Sequence, residues 1–294
     1  MKNLLFFAIC LLILSCQNSV SQPQATTKAS KNNALNVSIV EAAPVLNFNP
    51  EGKIVSERFP VPVDFERTTV TENSFGYYLR HLPLKPDGTK VKHYDGSLKW
   101  SQLPVAAVID IDVENRDLQQ CADAIMRLRA EYLRGQNRPD DIHFNFVSGF
   151  NAEYKKWRQG YRIKVKGNKV TWRKEAQPSD DYKSFRRYMT MVFSYAGTLS
   201  LAKELEPVAK NDLQIGDVFI RGGSPGHAVV VVDVCENKVS KEKRFLLAQS
   251  YMPAQDMHVL TNPNDTASAW YSNDYEGTLE TVEWTFQSSD LKRF

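Results

Sequence analysis

Two residues in this chain combine side-chain type and surroundings suited to covalent chemistry. Cys121 lies early in the segment Asp117 to Leu133, where Leu118, Cys121, Ala122, Ile125, Leu128 and Tyr132 recur at helical spacing. His227 follows a Pro225-Gly226 turn and opens the apolar run Ala228 to Val234. A thiol attacks as its thiolate, and a helix N-terminus or an adjacent imidazolium lowers its pKa. The thiolate adds to a carbonyl, and the histidine then protonates the leaving amine. Backbone N–H groups at the helix start stabilise the oxyanion, and a third polar group fixes the imidazole tautomer. Strands over Ala228–Val234 and Arg244–Ser250, joined by a polar loop around Asn237-Lys238, form a hairpin whose turn is centred near residues 238 and 239. His227 then faces Ser250 with Gln249 beside it, so either residue is within reach of the ring.

Other readings of the same residues stay open. Cys121 sits on the apolar stripe of its helix, where a small buried thiol packs well. Asn115 or Asp117 can cap this helix, and with Asp117 as the cap Cys121 lies about a turn inside instead of at the tip. A disulfide with Cys235 is a further option in an oxidising compartment. Cys235 comes eight residues after His227, about 26 Å along an extended strand. Bridged Cα atoms must approach within about 7 Å, so Cys121 cannot serve both partners. His81, His93, His143 and His258 show no metal-ligand spacing and read as structural. Asp110 and Asp112 share one face of an expected strand, Val105 to Val113, but no His or Cys stands at a useful distance to complete a metal site. No metal or cofactor is expected.

The elements that must position these residues lie in one stretch of the 294-residue chain. Met1-Lys2-Asn3 precedes the apolar run Leu4 to Leu14, too short for a membrane span but suited to a signal-peptide core. Residues 1–15 are therefore expected to be removed. Residues 16–49, rich in Ser, Asn, Gln, Thr and Ala, read as a flexible tether. Residues 50–294 read as a single domain. Lys+Arg 37 against Asp+Glu 34 gives a net charge of +3, but Lys2, Lys28 and Lys31 account for most of it. The near-neutral remainder argues against a general nucleic-acid binder, which needs a basic excess to displace counterions.

Within the domain a short helix is expected over Ser74–Arg80, and a second amphipathic helix over Ser179–Ala196 turns Tyr182, Phe185, Met189, Val192 and Phe193 inward. A further helical stretch covers Leu199–Leu205. Tyr161–Lys174 reads as a hairpin around Gly167-Asn168. Residues 155–174 hold nine basic groups and no acidic one. Their alternation with apolar residues favours a solvated strand face over a site for an anionic polymer. Strands are expected at Val218–Ile220, Ala228–Val234, Arg244–Ser250 and Thr278–Phe286. Helices first and antiparallel strands later make an α+β plan.

Three resemblances add to this reading. Ile13-Leu14-Ser15-Cys16 resembles the bacterial lipobox, which implies that Cys16 becomes the lipidated first residue of a protein anchored at the cell envelope, outside the cytoplasm. Ile215-Gly216-Asp217-Val218-Phe219-Ile220, Pro225-Gly226-His227 and the run Ala228 to Asp233 resemble the core of NlpC-type, papain-like cell-wall hydrolases. That resemblance implies a Cys-bearing helix packed on an antiparallel sheet, with Cys121 as nucleophile, His227 as base and acid, and Gln249 as the orienting group. The substrate it implies is cell-wall peptide or a similar amide, with cell-wall peptide or glycan as the binding partner. Where the NlpC type has Asp-Cys-Ser-Gly, this chain has Gln120-Cys121-Ala122-Asp123. Finally, Leu118–Ala124, Arg127–Tyr132, Gly222–Ala228 and Ala248–Gln255 look like an uncharacterised bacterial lipoprotein family of the domain-of-unknown-function class, over about residues 55–294. The competing expectation is a non-catalytic binding or scaffold lipoprotein that keeps the same fold.

Overall fold

The computed structural model describes residues 47–294, so the signal segment, Cys16 and the tether up to residue 46 lie outside the described residues. Asn47 N–H donates to the Ala267 carbonyl and Asn49 N–H to that of Arg58, so the chain is already tied to the domain before Pro50. Helix α1 (Val55–Arg58), strand β1 (Phe65–Arg67) and helix α2 (Phe75–Arg80) come first, α2 starting where the Ser74 hydroxyl accepts the Tyr77 N–H. Strand β2 (Val105–Val108) precedes the long helix α3 (Cys121–Gly135). Next come β3 (His143–Asn145), β4 (Asn151–Glu153), α4 (Tyr154–Arg158), β5 (Tyr161–Lys166) and β6 (Lys169–Lys174). Helices α5 (Tyr182–Tyr195) and α6 (Thr198–Glu204) end the helical part. The rest is strand: β7 (Glu206–Pro207), β8 (Val218–Arg221), β9 (His227–Asn237), β10 (Lys243–Gln249) and β11 (His258–Leu260), followed by β12 (Tyr271–Ser272), β13 (Thr278–Glu280), β14 (Thr285–Gln287) and β15 (Leu291–Arg293).

Nine strands among the described residues form one sheet in the order β2-β11-β10-β9-β8-β15-β7, with β1 paired to β9 and β12 to β10. Its pairings are antiparallel. The architecture is thus a mixed α+β domain built on a mostly antiparallel sheet. β9 is central and buried from His227 to Cys235 because both faces are covered. Ala228, Val230 and Val232 join the larger core, to which α3 and α5 also contribute. Val229 and Val231 join a second core with Phe219, Phe245, Leu247 and Phe286. A β-bulge interrupts this alternation: Val231 pairs with Leu247, but Asp233 pairs with Leu246. The extra residue shifts the side chains that follow, so Val234 falls in the second core.

Three boundaries differ from the sequence expectation. α3 begins at Cys121, not Asp117, because Gln120 is extended and its N–H is taken by Asp123 Oδ2 at 3.1 Å. β2 ends at Val108, and Asp112 lies beyond it, accepting from Arg127 at 2.9 Å and Arg186 at 3.2 Å, so it serves as an arginine partner. The expected strand Thr278–Phe286 is a hairpin, β13 against β14. Thr281 closes its turn by accepting the Trp284 N–H at 3.0 Å and donating to the Trp284 carbonyl at 2.8 Å. The basic hairpin β5–β6 forms as expected, with Lys164 paired to Glu175 at 2.6 Å. Just before it, Lys155 and Arg158 reach Asp140, and Arg158 also reaches Asp180, so acidic groups distant in sequence offset part of the basic run.

Candidate functional site

Cys121 is the first residue of α3, at the helix tip where unpaired backbone N–H groups converge. Asp117, one of two capping candidates in the sequence, does another job: its Oδ1 accepts the Ala254 N–H at 2.7 Å and the Gln120 amide at 3.0 Å. Ser250 reinforces this junction, its hydroxyl lying 3.2 Å from the Gln119 carbonyl and 2.9 Å from that of Gln255. Arg127, one helical turn and a half further along, holds the chain before the helix. Its guanidinium donates to Gln119 Oε1 at 2.7 Å, to the Asp112 carbonyl at 3.0 Å and to Glu131 at 2.9 Å. Cys121 is therefore anchored from both sides of the helix start.

His227 opens β9 directly after the tight turn that leaves β8, where Arg221 and His227 pair. Gly226 is required there by space alone. A Cβ at this position would meet Thr198 Oγ1 at 2.5 Å, the Gly223 carbonyl at 2.6 Å and the Arg221 carbonyl at 2.8 Å. The pairing of Val230 with Ala248 places Gln249 beside Val229, on the same sheet face as His227 and one diagonal step away. His227 Nε2 lies 2.8 Å from Gln249 Oε1. Of the two residues the sequence left open, Gln249 meets the ring and Ser250 holds the helix start.

Cys121 and His227 line one cleft of about 630 Å³, together with the turn Gly223–Gly226, the start of α6, Tyr251 and Trp284. His227 packs among aromatic rings, with centroids 4.8 Å from Tyr251, 5.4 Å from Trp284 and 5.9 Å from Phe286. The amide of Ala228, the residue after His227, approaches the Cys121 sulfur, as do the amides of Ala122 and Cys121 itself. Burial, with the nearby Asp123 carboxylate, nevertheless pushes the thiol up to about 11. Burial pulls His227 down to about 4 against the opposing hydrogen bond from Gln249. The resting pair at neutral pH is a thiol and a neutral imidazole. Accordingly, alkylation of Cys121 by iodoacetamide, followed by peptide mass mapping, should climb with pH toward a midpoint near 11. A rate already at its plateau at neutral pH would mean a preformed thiolate–imidazolium pair instead.

His258 is fully buried on β11 and is likewise drawn down to about 4 by burial. For both histidines the unfolded chain binds protons that the folded chain refuses, between the ordinary value of 6.5 and about 4. Stability is therefore full above the upper value and falls as pH drops toward the lower one, by at most about 3 kcal/mol per histidine. Urea unfolding measured across that window checks this, and a flat stability profile would contradict it.

The other sequence candidates lie elsewhere. Cys235 is a free, buried thiol at the far end of β9, paired across to Arg67 and Arg244, and Cys121 is also free, which overturns the disulfide option. His143 is exposed, 3.9 Å from Glu204. Trp284 and Tyr251 were not legible as site residues. Trp284 sits in a segment that reads as continuous strand, and only the hairpin turn brings it over His227.

A thiol at a helix tip and a sheet-borne imidazole share a cleft in a mixed α+β domain: this is the class that fold and site define. The chain belongs to a family described as a domain of unknown function (4846), whose profile matches residues 55–293. No curated protein and no solved structure matches the chain.

Proposed function

We propose that this domain is a lipid-anchored, extracytoplasmic cysteine hydrolase of papain-like, NlpC-type arrangement that cleaves amide bonds in cell-wall peptide or a similar substrate. The observation that carries the reading is the shared cleft, with Cys121 at the tip of α3 and His227 held by Gln249. With Nε2 engaged by Gln249, Nδ1 is the nitrogen left to take a proton. As the Cys121 sulfur bonds to the substrate carbonyl carbon, Nδ1 takes the thiol proton. The C–N bond then breaks, and the imidazolium gives that proton to the departing amine. A water molecule attacks the resulting thioester, passing a proton to His227, and the acid product leaves as the thiol is restored. N–H groups at the start of α3 hold the negative oxygen of both tetrahedral intermediates. A neutral resting pair suits this sequence, because proton transfer accompanies attack instead of preceding it. The Cys16 lipobox supports anchoring at the envelope, where such amides are found.

The raised thiol favours a second reading, a binding or scaffold lipoprotein that uses the same cleft without cleaving its ligand. Incubation with isolated cell-wall stem peptides separates the two. Cleavage yields a new free amine detectable by mass spectrometry, and Cys121→Ala abolishes it. Retention of intact peptide by both wild type and Cys121→Ala would support binding alone.

A further inference from the structure

We propose that Glu283, held in place by Lys99, is a positioning residue that decides which nitrogen of His227 carries the proton. The inference rests on the side chains behind the ring, and it supplies the tautomer that the proposed hydrolysis needs. Glu283 stands on the turn between β13 and β14. Its Oε2 accepts from Gln249 Nε2 at 2.6 Å, and its Oε1 accepts from Lys99 Nζ at 2.5 Å. A carboxylate only accepts and an ammonium only donates, so neither contact can be reversed. On the other side, His258 Nδ1 lies 3.0 Å from the Asp256 carbonyl and must be its protonated nitrogen. His258 Nε2 is then a bare acceptor, 3.3 Å from the same Gln249 Nε2. Both N–H groups of the Gln249 amide are thereby committed, one to Glu283 and one to His258. Its oxygen is left to face His227 Nε2, which must carry the hydrogen. Gln249 and His258 are fully buried and Lys99 nearly so, so water offers little alternative to these partners.

Turning the Gln249 amide over would set its oxygen against the Glu283 carboxylate and its NH2 against His227. Only the opposite tautomer, with hydrogen on Nδ1, tolerates that arrangement, and that tautomer cannot accept a thiol proton at Nδ1. The bare His258 Nε2 also opposes that turn, but its 3.3 Å contact is weaker than the 2.6 Å contact to residue 283, so the identity of residue 283 decides between a competent and an incompetent ring.

Glu283→Gln tests this without changing shape. Lys99 claims the oxygen of the new amide, whose NH2 then faces Gln249 and forces it to turn over. Long-range proton–nitrogen correlation on the full chain at neutral pH should show His227 protonated at Nε2 in the wild type and chiefly at Nδ1 in Glu283→Gln. The double variant Lys99→Met/Glu283→Gln frees the new amide to present its oxygen and should restore the Nε2 form. Glu283→Ala, which removes the acceptor without supplying a wrong one, should give a mixture. If the wild type cleaves stem peptides, kcat in Glu283→Gln should fall at least tenfold with KM little changed. An unchanged Nε2 tautomer in both Glu283→Gln and Glu283→Ala would overturn the proposal. The tautomer readout stands apart from turnover, so a wild type that cleaves nothing removes the hydrolase reading and leaves this one to be judged by the spectra.

Discussion

Replacing His227 with alanine should lower the rate of amide cleavage by about 10²- to 10⁴-fold, the range expected for removing a positioned general acid and base. Among the described residues His227 is the only imidazole that lines the Cys121 cleft, and in the proposed mechanism it receives the thiol proton and returns it to the leaving amine. Neither Tyr251 nor Gln249 substitutes. Burial raises Tyr251 above its ordinary value and so keeps it protonated and unable to take the thiol proton, and Gln249 has no titratable group. The loss should appear in kcat, because Tyr251, Trp284 and the turn Gly223–Gly226 still shape the cleft for substrate. Single-turnover kinetics with wild type and His227→Ala check this. A variant within threefold of wild type would show that the ring is structural.

The second large effect is on stability. Asp233 is completely buried at the β-bulge of β9. Arg67 Nε reaches its Oδ2 at 2.8 Å and Arg80 Nε reaches its Oδ1 at 2.6 Å, while the Val234 N–H donates to the same Oδ1 at 2.8 Å. This one carboxylate ties β1 and α2 to the central strand. Asp233→Ala leaves the nearly buried Arg80 charge without its partner, which costs about 3–5 kcal/mol. For a domain of this size that corresponds to a fall in Tm of roughly 10 °C. Calorimetry measures it directly. A loss under about 1 kcal/mol would mean that the arginines find water or other acceptors once the carboxylate is gone. Cys121 alkylation measured well below the transition should be unchanged, since Asp233 lies six residues along the strand from His227 and does not line the cleft.

Much of this arrangement was legible in the sequence because it is written in local patterns. The apolar stripe from Leu118 to Tyr132 identified α3, and the run after Pro225-Gly226 identified β9 and set His227 at its start. Hairpin counting came within one residue of the true register and singled out Gln249 with Ser250. Asp117 is a strong capping residue by type, yet Ala254, far along the chain, claims its oxygen. With the cap three residues later, at Gln120, Cys121 stands at the helix tip instead of inside it. The bulge at Asp233 and the clustering of Arg67, Arg80, Lys99 and Glu283 were not legible. They depend on pairings across more than 150 residues that no local spacing encodes. Thr278–Phe286 shows the same limit in small: its composition suits a strand, and the Thr281 hydroxyl and backbone N–H bonding to Trp284 fold it back over the histidine.

The central claim is that Cys121 attacks a carbonyl with the help of His227. Mass mapping of protein quenched during reaction with a stem-peptide amide, or with the matching activated ester, tests it most directly. An acyl group in thioester linkage is expected on Cys121 in the wild type, absent from Cys121→Ala and formed far more slowly in His227→Ala. No adduct on a Cys121 that iodoacetamide still reaches at high pH would contradict it.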